Sequence, residues 1–226
     1  MYCIMFNMKQ AFINLLDWIY KKKCYFCGHS KESLKMCTSC YEEMEQLPVG
    51  KNREIDGAKV YCAGVYEQNI QKLIRGLKYH NQRDLAYFQA KFMHDYWKNL
   101  IGKHDSYQVI PIPLYPSREK QRKYNHMTLV AEEFCKLTGY SLNLNLVKRI
   151  KDTLPQYKLS KSQRMENLDK AFEINKEALK TVAGENILLL DDICTTGATF
   201  ENIIIELKKH EISNVSCFAT TTPFNE

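Results

Sequence analysis

Residues Asn186–Phe200 read NILLLDDICTTGATF. Four apolar residues, Ile187–Leu190, run into two adjacent aspartates, Asp191 and Asp192, and then into small residues around Gly197. An uninterrupted apolar run of this kind is expected of a strand buried on both faces in the middle of a parallel sheet. Phe200, Ile203, Ile204 and Leu207 follow at helical spacing. The stretch therefore reads as strand, turn and helix, with Thr195–Thr199 forming the turn and the first residues of the helix. Open α/β sheets bind ligands at the C-terminal ends of their strands. A turn that opens a helix offers free backbone N–H groups and the positive end of the helix dipole, a seat for a phosphate. Small residues let the phosphate approach the backbone, and the threonine hydroxyls add donors. Asp191 and Asp192 can accept hydrogen bonds from two vicinal hydroxyls. One phosphate with two hydroxyls a few ångströms away is the pattern of a ribose 5-phosphate. No Gly-x-x-x-x-Gly-Lys is present, so the turn is not a Walker loop.

Working outward, strands and helices alternate. Val60–Tyr66 reads as a strand, and Ile70, Leu73, Ile74 and Leu77 mark one face of a helix. A second helix carries Leu85, Phe88, Phe92 and Tyr96. Tyr107–Leu114 reads as a strand ended by prolines, the basic stretch Tyr115–His126 as a loop, and Val130, Phe134 and Leu137 as a helix. The segment LNLNLV, residues 142–147, reads as one short strand, and Ser160 with Gln163 has capping-box spacing at the start of a helix. NVSCFAT, residues 214–220, is the last strand. This alternation predicts an α/β fold, a parallel sheet with helices on both faces. The polar stretch EEMEQLPVGKNREIDGAK, residues 42–59, reads as a linker. Residues 1–58 are thus expected to hold an N-terminal helix, a cysteine-bearing finger and the linker, and residues 59–226 the α/β domain.

The chain has 226 residues, 45% hydrophobic and 26% charged, the balance of an ordinary soluble domain with a small appendage. Its net charge of +6 permits contact with phosphates without demanding it. The N-terminal stretch has no positive n-region, Asp17 interrupts it, and Phe12, Leu15, Leu16 and Ile19 fall at helical spacing, so an amphipathic helix is expected rather than a signal peptide. No segment is apolar enough for a membrane span, and a cytoplasmic protein is expected.

Four of the nine cysteines form two Cys-x-x-Cys pairs, Cys24 with Cys27 and Cys37 with Cys40, nine residues apart. Each such turn aims two thiolates at one point, and two turns complete a tetrahedron that suits zinc. Two disulfides or a redox pair are the alternatives. Disulfides fit poorly with a cytoplasmic chain, and two consecutive redox pairs are unusual. Gly28 stands where the turn needs positive φ. Four thiolates leave no open coordination position, so the zinc would be structural, in a segment too small to fold on its core alone.

Ile187–Thr199 resemble the phosphoribosyl pyrophosphate (PRPP) motif of type I phosphoribosyltransferases. The chain as a whole resembles the ComF family of competence proteins, including its GntX-like relatives. YEQNIQKLIRGLKYHNQRDLA (residues 66–86) resembles that family's helix with its Leu-Lys-Tyr, and VIPIPLYPSREKQRKYNH (109–126) its Val-Pro-Val-Pro-Leu-x-Pro-x-Arg segment. RIKDTLPQYKLSKSQRMENLDKAF (149–172) resembles its Arg-x-x-x-Thr-x-x-Gln segment, and the cysteine knuckle stands ahead of the transferase-like domain as in the family. The resemblance implies that Asp191 and Asp192 hold ribose hydroxyls, directly or beside Mg²⁺. It implies that Thr195, Thr196, Gly197, Ala198 and Thr199 cradle the 5-phosphate. Arg118 and Arg122 would face the pyrophosphate, where guanidinium groups suit bidentate contacts, although each is also an ordinary surface charge. Residues 149–164 would form a mobile loop over the site, with Gln156 as a contact. The family commonly reads Arg-Gly-Phe-Asn-Gln where this chain has RKYNH, Arg122–His126, so a glycine and a glutamine are lost. Thr195 stands where some purine-salvage transferases carry an aspartate base, which disfavours purine salvage.

Two functions follow. The resemblance implies a role in DNA uptake during natural transformation, with a PRPP-like ligand, single-stranded DNA and a helicase-like protein of the same operon as partners. Lys21–Lys23, Arg118–Lys123 and Lys148–Lys151 are candidates for the DNA backbone, and Tyr25, Tyr124 and Tyr157 for stacking on bases. The alternative is an active phosphoribosyltransferase of nucleotide metabolism, in which positioning and charge stabilisation by Mg²⁺ and arginines expel pyrophosphate.

Overall fold

The computed structural model describes residues 23–29, 35–100, 106–152, 170–182 and 184–223. The expected N-terminal helix, the capping box at Ser160 and the candidate contact Gln156 lie outside the described residues. The chain divides into two compact units, residues 1–46 and 47–226.

The described part of the first unit is the cysteine region and helix α1 (Thr38–Glu45). Gly28 has φ +79°, and its N–H donates to the Cys24 carbonyl at 2.9 Å, closing the turn around the first cysteine pair.

The second unit begins with β1 (Arg53–Ile55) and β2 (Ala58–Val65), followed by α2 (Gln68–Tyr79) and α3 (Leu85–Trp97). Next come β3 (Gln108–Pro111), α4 (Pro116–Arg122), α5 (His126–Thr138), β4 (Ser141–Leu142), β5 (Val147–Arg149) and β6 (Phe172–Ile174). A short 3₁₀ turn (Ala178–Thr181) precedes β7 (Ile187–Ile193), α6 (Ala198–Lys208) and β8 (Val215–Thr222). Six strands form one sheet in the order β1-β2-β8-β7-β3-β4, antiparallel only between β1 and β2.

β7 lies inside this sheet, and Ile187–Leu190 are fully buried, as the apolar run requires. Ile187 and Leu189 share one core cluster with Phe200, Ile203, Ile204 and Leu207 of α6. The pleat sends Leu188 and Leu190 to the opposite face, where α3 and α5 pack on the strands. Trp97 of α3 stacks on Phe218 of β8 there, with ring centroids 4.9 Å apart. From β3 the chain passes through α5 to β4 on one side, and from β7 through α6 to β8 on the other. The connections diverge between β3 and β7, which places the sheet's switch point, and its natural ligand crevice, at the C-terminal ends of those two strands.

Three segments differ from expectation. Part of the stretch read as a linker is β1, in a hairpin with β2. Asp56 and Gly57 both have positive φ, +48° and +76°, as a two-residue hairpin turn demands. The Asp-Gly signal outweighs the polarity around it, and Asn52 Oδ1 ties the incoming chain to the Cys62 N–H at 3.1 Å. The basic stretch after β3 is not wholly loop, because Pro116 opens the short helix α4 with its φ already set for a helix. LNLNLV is not one strand. Asn143 Oδ1 accepts from the N–H groups of Asn145 and Leu146 at 2.9 and 3.1 Å. This side-chain turn ends β4 and lets β5 leave to pair antiparallel with β6.

Candidate functional site

In the first unit the sulfurs of Cys24, Cys27, Cys37 and Cys40 all lie within 4.8 Å of one another. Cys24 and Cys40 Sγ are 4.0 Å apart, and Cys27 and Cys37 Sγ 3.6 Å. Sulfurs bound tetrahedrally to zinc at about 2.3 Å stand about 3.8 Å from each other, so the cluster fits a metal such as zinc. The Cys37 N–H points at Cys24 Sγ at 3.4 Å. The Ser39 hydroxyl beside Cys37, aided by the Cys40 backbone, holds that thiol down to about 6, which favours the thiolate a metal needs.

In the second unit, Asp191 and Asp192 end the buried part of β7 at the switch point. Their carboxylates take different faces. Asp191 is half-buried and lines a hollow on the α6 side together with Thr195, Gly197, Ala198 and Thr199. Burial, and then the neighbouring charge of Asp192, push its carboxyl up to about 8. Its Oδ1 accepts from the Asp192 N–H at 2.8 Å. Asp192 is 5% exposed and faces the α5 side. Its Oδ2 meets Lys78 Nζ at 2.5 Å and also His126 Nε2. Burial alone would raise its pKa, but Lys78 and His126 together hold it below the ordinary carboxylate range. Burial lowers the His126 pKa, against the opposing pull of Asp192.

The turn after β7 is built as the small residues suggested. Gly197 caps α6 with φ +83°, and the Ala198 N–H donates to Thr196 Oγ1 at 3.4 Å. A Cβ on Gly197 would lie 2.1 Å from Ile55 Cδ1, so β1 packs directly on the glycine. Arg53 of the same strand donates through Nη2 to the Cys194 carbonyl at 3.1 Å, and also to that of Thr195. The space inside the turn is about 10 Å³, room for one water. Cys194 is 2% exposed and packs behind the turn, its Sγ 2.8 Å from Arg53 Nη2.

On the other side of the crevice, Asn125 caps α5 by accepting from the Met127 N–H at 3.0 Å, while its Nδ2 donates to the Ile112 carbonyl at 3.1 Å. This joint fixes His126 beside β7. Lys123 has φ +68°, in the left-handed region that favours glycine. Arg118 Nε lies 3.7 Å from Asp152, and the Arg122 guanidinium lies over the Tyr79 ring at 5.3 Å. Tyr124 is 9% exposed and donates to the Leu77 carbonyl at 2.5 Å, so its ring is not available to stack on bases. Tyr79 is 60% exposed, with the Arg122 guanidinium over its ring. Sequence reasoning missed Lys78, His126 and Arg53 as parts of the site. The Leu-Lys-Tyr of α2 carried Lys78 in plain view, but nothing local tied it to β7.

A mostly parallel six-stranded α/β sheet, flanked by helices and carrying a crevice at its switch point, together with a cysteine cluster ahead of it, defines the class of protein. No family model matches the chain. By sequence it is a distant homologue of the ComF and ComFC competence proteins and of the YhgH DNA utilization proteins. It is 27% identical over 201 residues to competence protein F of Haemophilus influenzae, spanning 84% of this chain and 81% of that protein. It is 27% identical over 202 residues to competence protein ComFC of Bacillus subtilis, spanning 86% and 75%. Against the DNA utilization protein YhgH of Salmonella typhimurium the identity is 21% over 188 residues, spanning 80% and 81%. Among the described residues no helix is long and apolar enough to cross a membrane.

Proposed function

We propose that the chain acts in DNA uptake as a ComF-type protein whose second unit binds PRPP or a related phosphoribosyl ligand at the switch point. The observation that carries this is the joining, at the end of β7, of the half-buried Asp191 to a glycine-capped turn that opens α6. The turn from Thr195 to Thr199 takes the 5-phosphate, and Asp191 accepts from the ribose hydroxyls. Asp192, engaged with Lys78 and His126, closes the opposite side of the seat. Mg²⁺ is a hard cation that binds through one or two carboxylates plus ligand phosphates. Asp191 and a diphosphate are donors of that kind, and the ion would neutralise the diphosphate. The four cysteines hold structural zinc. The homology to competence and DNA utilization proteins supports the DNA role. Single-stranded DNA then runs over the basic segment of α4 and β5, with Tyr79 as the exposed ring beside it, and the helicase-like protein of a competence operon is the expected partner in a cytoplasmic setting.

The test is binding of labelled single-stranded DNA by fluorescence anisotropy across a salt series. Affinity is expected to fall steeply with salt and to weaken in Lys120→Glu/Lys123→Glu. Absence of binding at low salt would remove DNA from the proposal.

A further inference from the structure

We propose that Lys78 is a ligand-binding residue of the crevice, the fixed cation that takes the diphosphate end of the ligand, with Asp192 and His126 as the residues that position it. The inference rests on the ligand seat proposed above and adds its second anionic subsite.

The two walls of the crevice are unlike. On the α6 side stand Asp191 and the turn, which suit hydroxyls and one phosphate. On the α5 side stand Lys78, Asp192 and His126, brought together from α2, β7 and α5. Within this cluster the side chains of Asp192 and His126 are 7% and 4% exposed, against 17% for Lys78. Of the three, the lysine is the most exposed to solvent. An ammonium has three donors, and Asp192 Oδ2 takes one of them, at 2.5 Å. Asp192 cannot swing away to serve a ligand without leaving that part-buried ammonium, and the buried His126 contact, unpaired. Its carboxylate is committed to holding Lys78 in place.

The backbone under Lys78 is fixed on both sides. The preceding carbonyl, of Leu77, accepts from the Tyr124 hydroxyl at 2.5 Å, and the following ring, of Tyr79, lies under Arg122. A flexible lysine normally loses much rotamer freedom when it binds an anion. Here most of that loss is already taken in the fold, so the charge is preorganised. A ligand with a phosphate at one end, a diol in the middle and a diphosphate at the other matches the two walls in order.

Calorimetry with three probes at fixed ionic strength tests this: ribose 5-phosphate, inorganic pyrophosphate with Mg²⁺, and PRPP with Mg²⁺. Lys78→Gln keeps a donor for Asp192 and removes the charge. It is expected to weaken pyrophosphate and PRPP binding by about tenfold or more and to leave ribose 5-phosphate within about twofold. Lys78→Arg is expected to retain pyrophosphate binding within about threefold, since it keeps a cation on the same stem. Equal pyrophosphate affinity in Lys78→Gln and wild type overturns the inference while leaving the phosphate seat standing. Failure of the wild type to bind ribose 5-phosphate overturns the seat, and the inference with it. Should Lys78→Gln not fold, lysine acetylation of the wild type mapped by mass spectrometry decides the matter. Pyrophosphate is expected to protect Lys78 and ribose 5-phosphate not to, and equal labelling with and without pyrophosphate contradicts the assignment.

Discussion

Asp191 and Asp192 are neighbours in the chain, yet β7 delivers Asp191 to the hollow at the start of α6 and Asp192 to Lys78 and His126 on the opposite face. The two acids are therefore unequal in stability. Asp192→Asn leaves a part-buried lysine without its counter-charge and is expected to cost about 2 kcal/mol or more. Asp191→Asn replaces a half-buried group on the crevice wall and is expected to change stability by about 1 kcal/mol or less. Urea denaturation of both variants at pH 7 checks the ranking.

The same asymmetry sets opposite pH dependences. Burial, then the charge of Asp192, raise the Asp191 carboxyl to about 8 in the folded protein, against about 3.9 in an unfolded chain. The folded state thus keeps a proton that the unfolded chain gives up. The stability from this group is fully present below about pH 4 and is lost as pH rises toward 8. Asp192 is held below its ordinary value by Lys78 and His126 against the opposing effect of burial. Its contribution is present above about pH 4 and is lost as pH falls further. Melting curves from pH 4.5 to 8.5 are expected to show the wild type declining relative to Asp191→Asn as pH rises. Parallel curves contradict the assignment.

Lys123 ends α4 in the left-handed region, φ +68°, where a side chain costs roughly 1–2 kcal/mol that glycine does not pay. Lys123→Gly is expected to stabilise the protein by about 0.5–1 kcal/mol after glycine's greater unfolded-state entropy is counted. A rise in the urea midpoint at unchanged slope is the readout.

The sulfur geometry of the first unit predicts about one tightly held zinc per chain, measured by metal analysis of protein purified without added zinc. Cys40→Ser removes one ligand and is expected to lose the metal and expose residues 23–46 to protease, with the second unit intact. A protein free of zinc, yet protease-resistant through those residues, contradicts a structural role for the metal.

Much of the fold was legible because its signals are local. The apolar run of β7, the periodicity of α6 and the small turn between them lie within a few residues of one another, and the structure keeps that order. The paired cysteines were legible for the same reason. The contacts that complete the crevice are not local. Arg53 reaches Cys194 across 141 positions, and His126 reaches Asp192 across 66. A lone arginine or histidine far away in sequence carries no periodicity that announces such a contact. β1 was hidden for a different reason, since a short edge strand with one face to solvent has little apolar content to report. The Asp-Gly turn was its one strong signal.

The central claim is that the end of β7 seats a phosphoribosyl ligand, and thermal melting with and without PRPP and Mg²⁺ tests it most directly. At a ligand concentration about 100 times the dissociation constant, the wild type is expected to gain about 2.7 kcal/mol, a rise of roughly 5–10 °C for a protein of this size. Asp191→Asn, which loses the carboxylate facing the turn, and Gly197→Ala, whose added methyl collides with Ile55, are expected to melt at the same temperature with and without the ligand. No rise in the wild type, or an undiminished rise in Asp191→Asn, would contradict the claim.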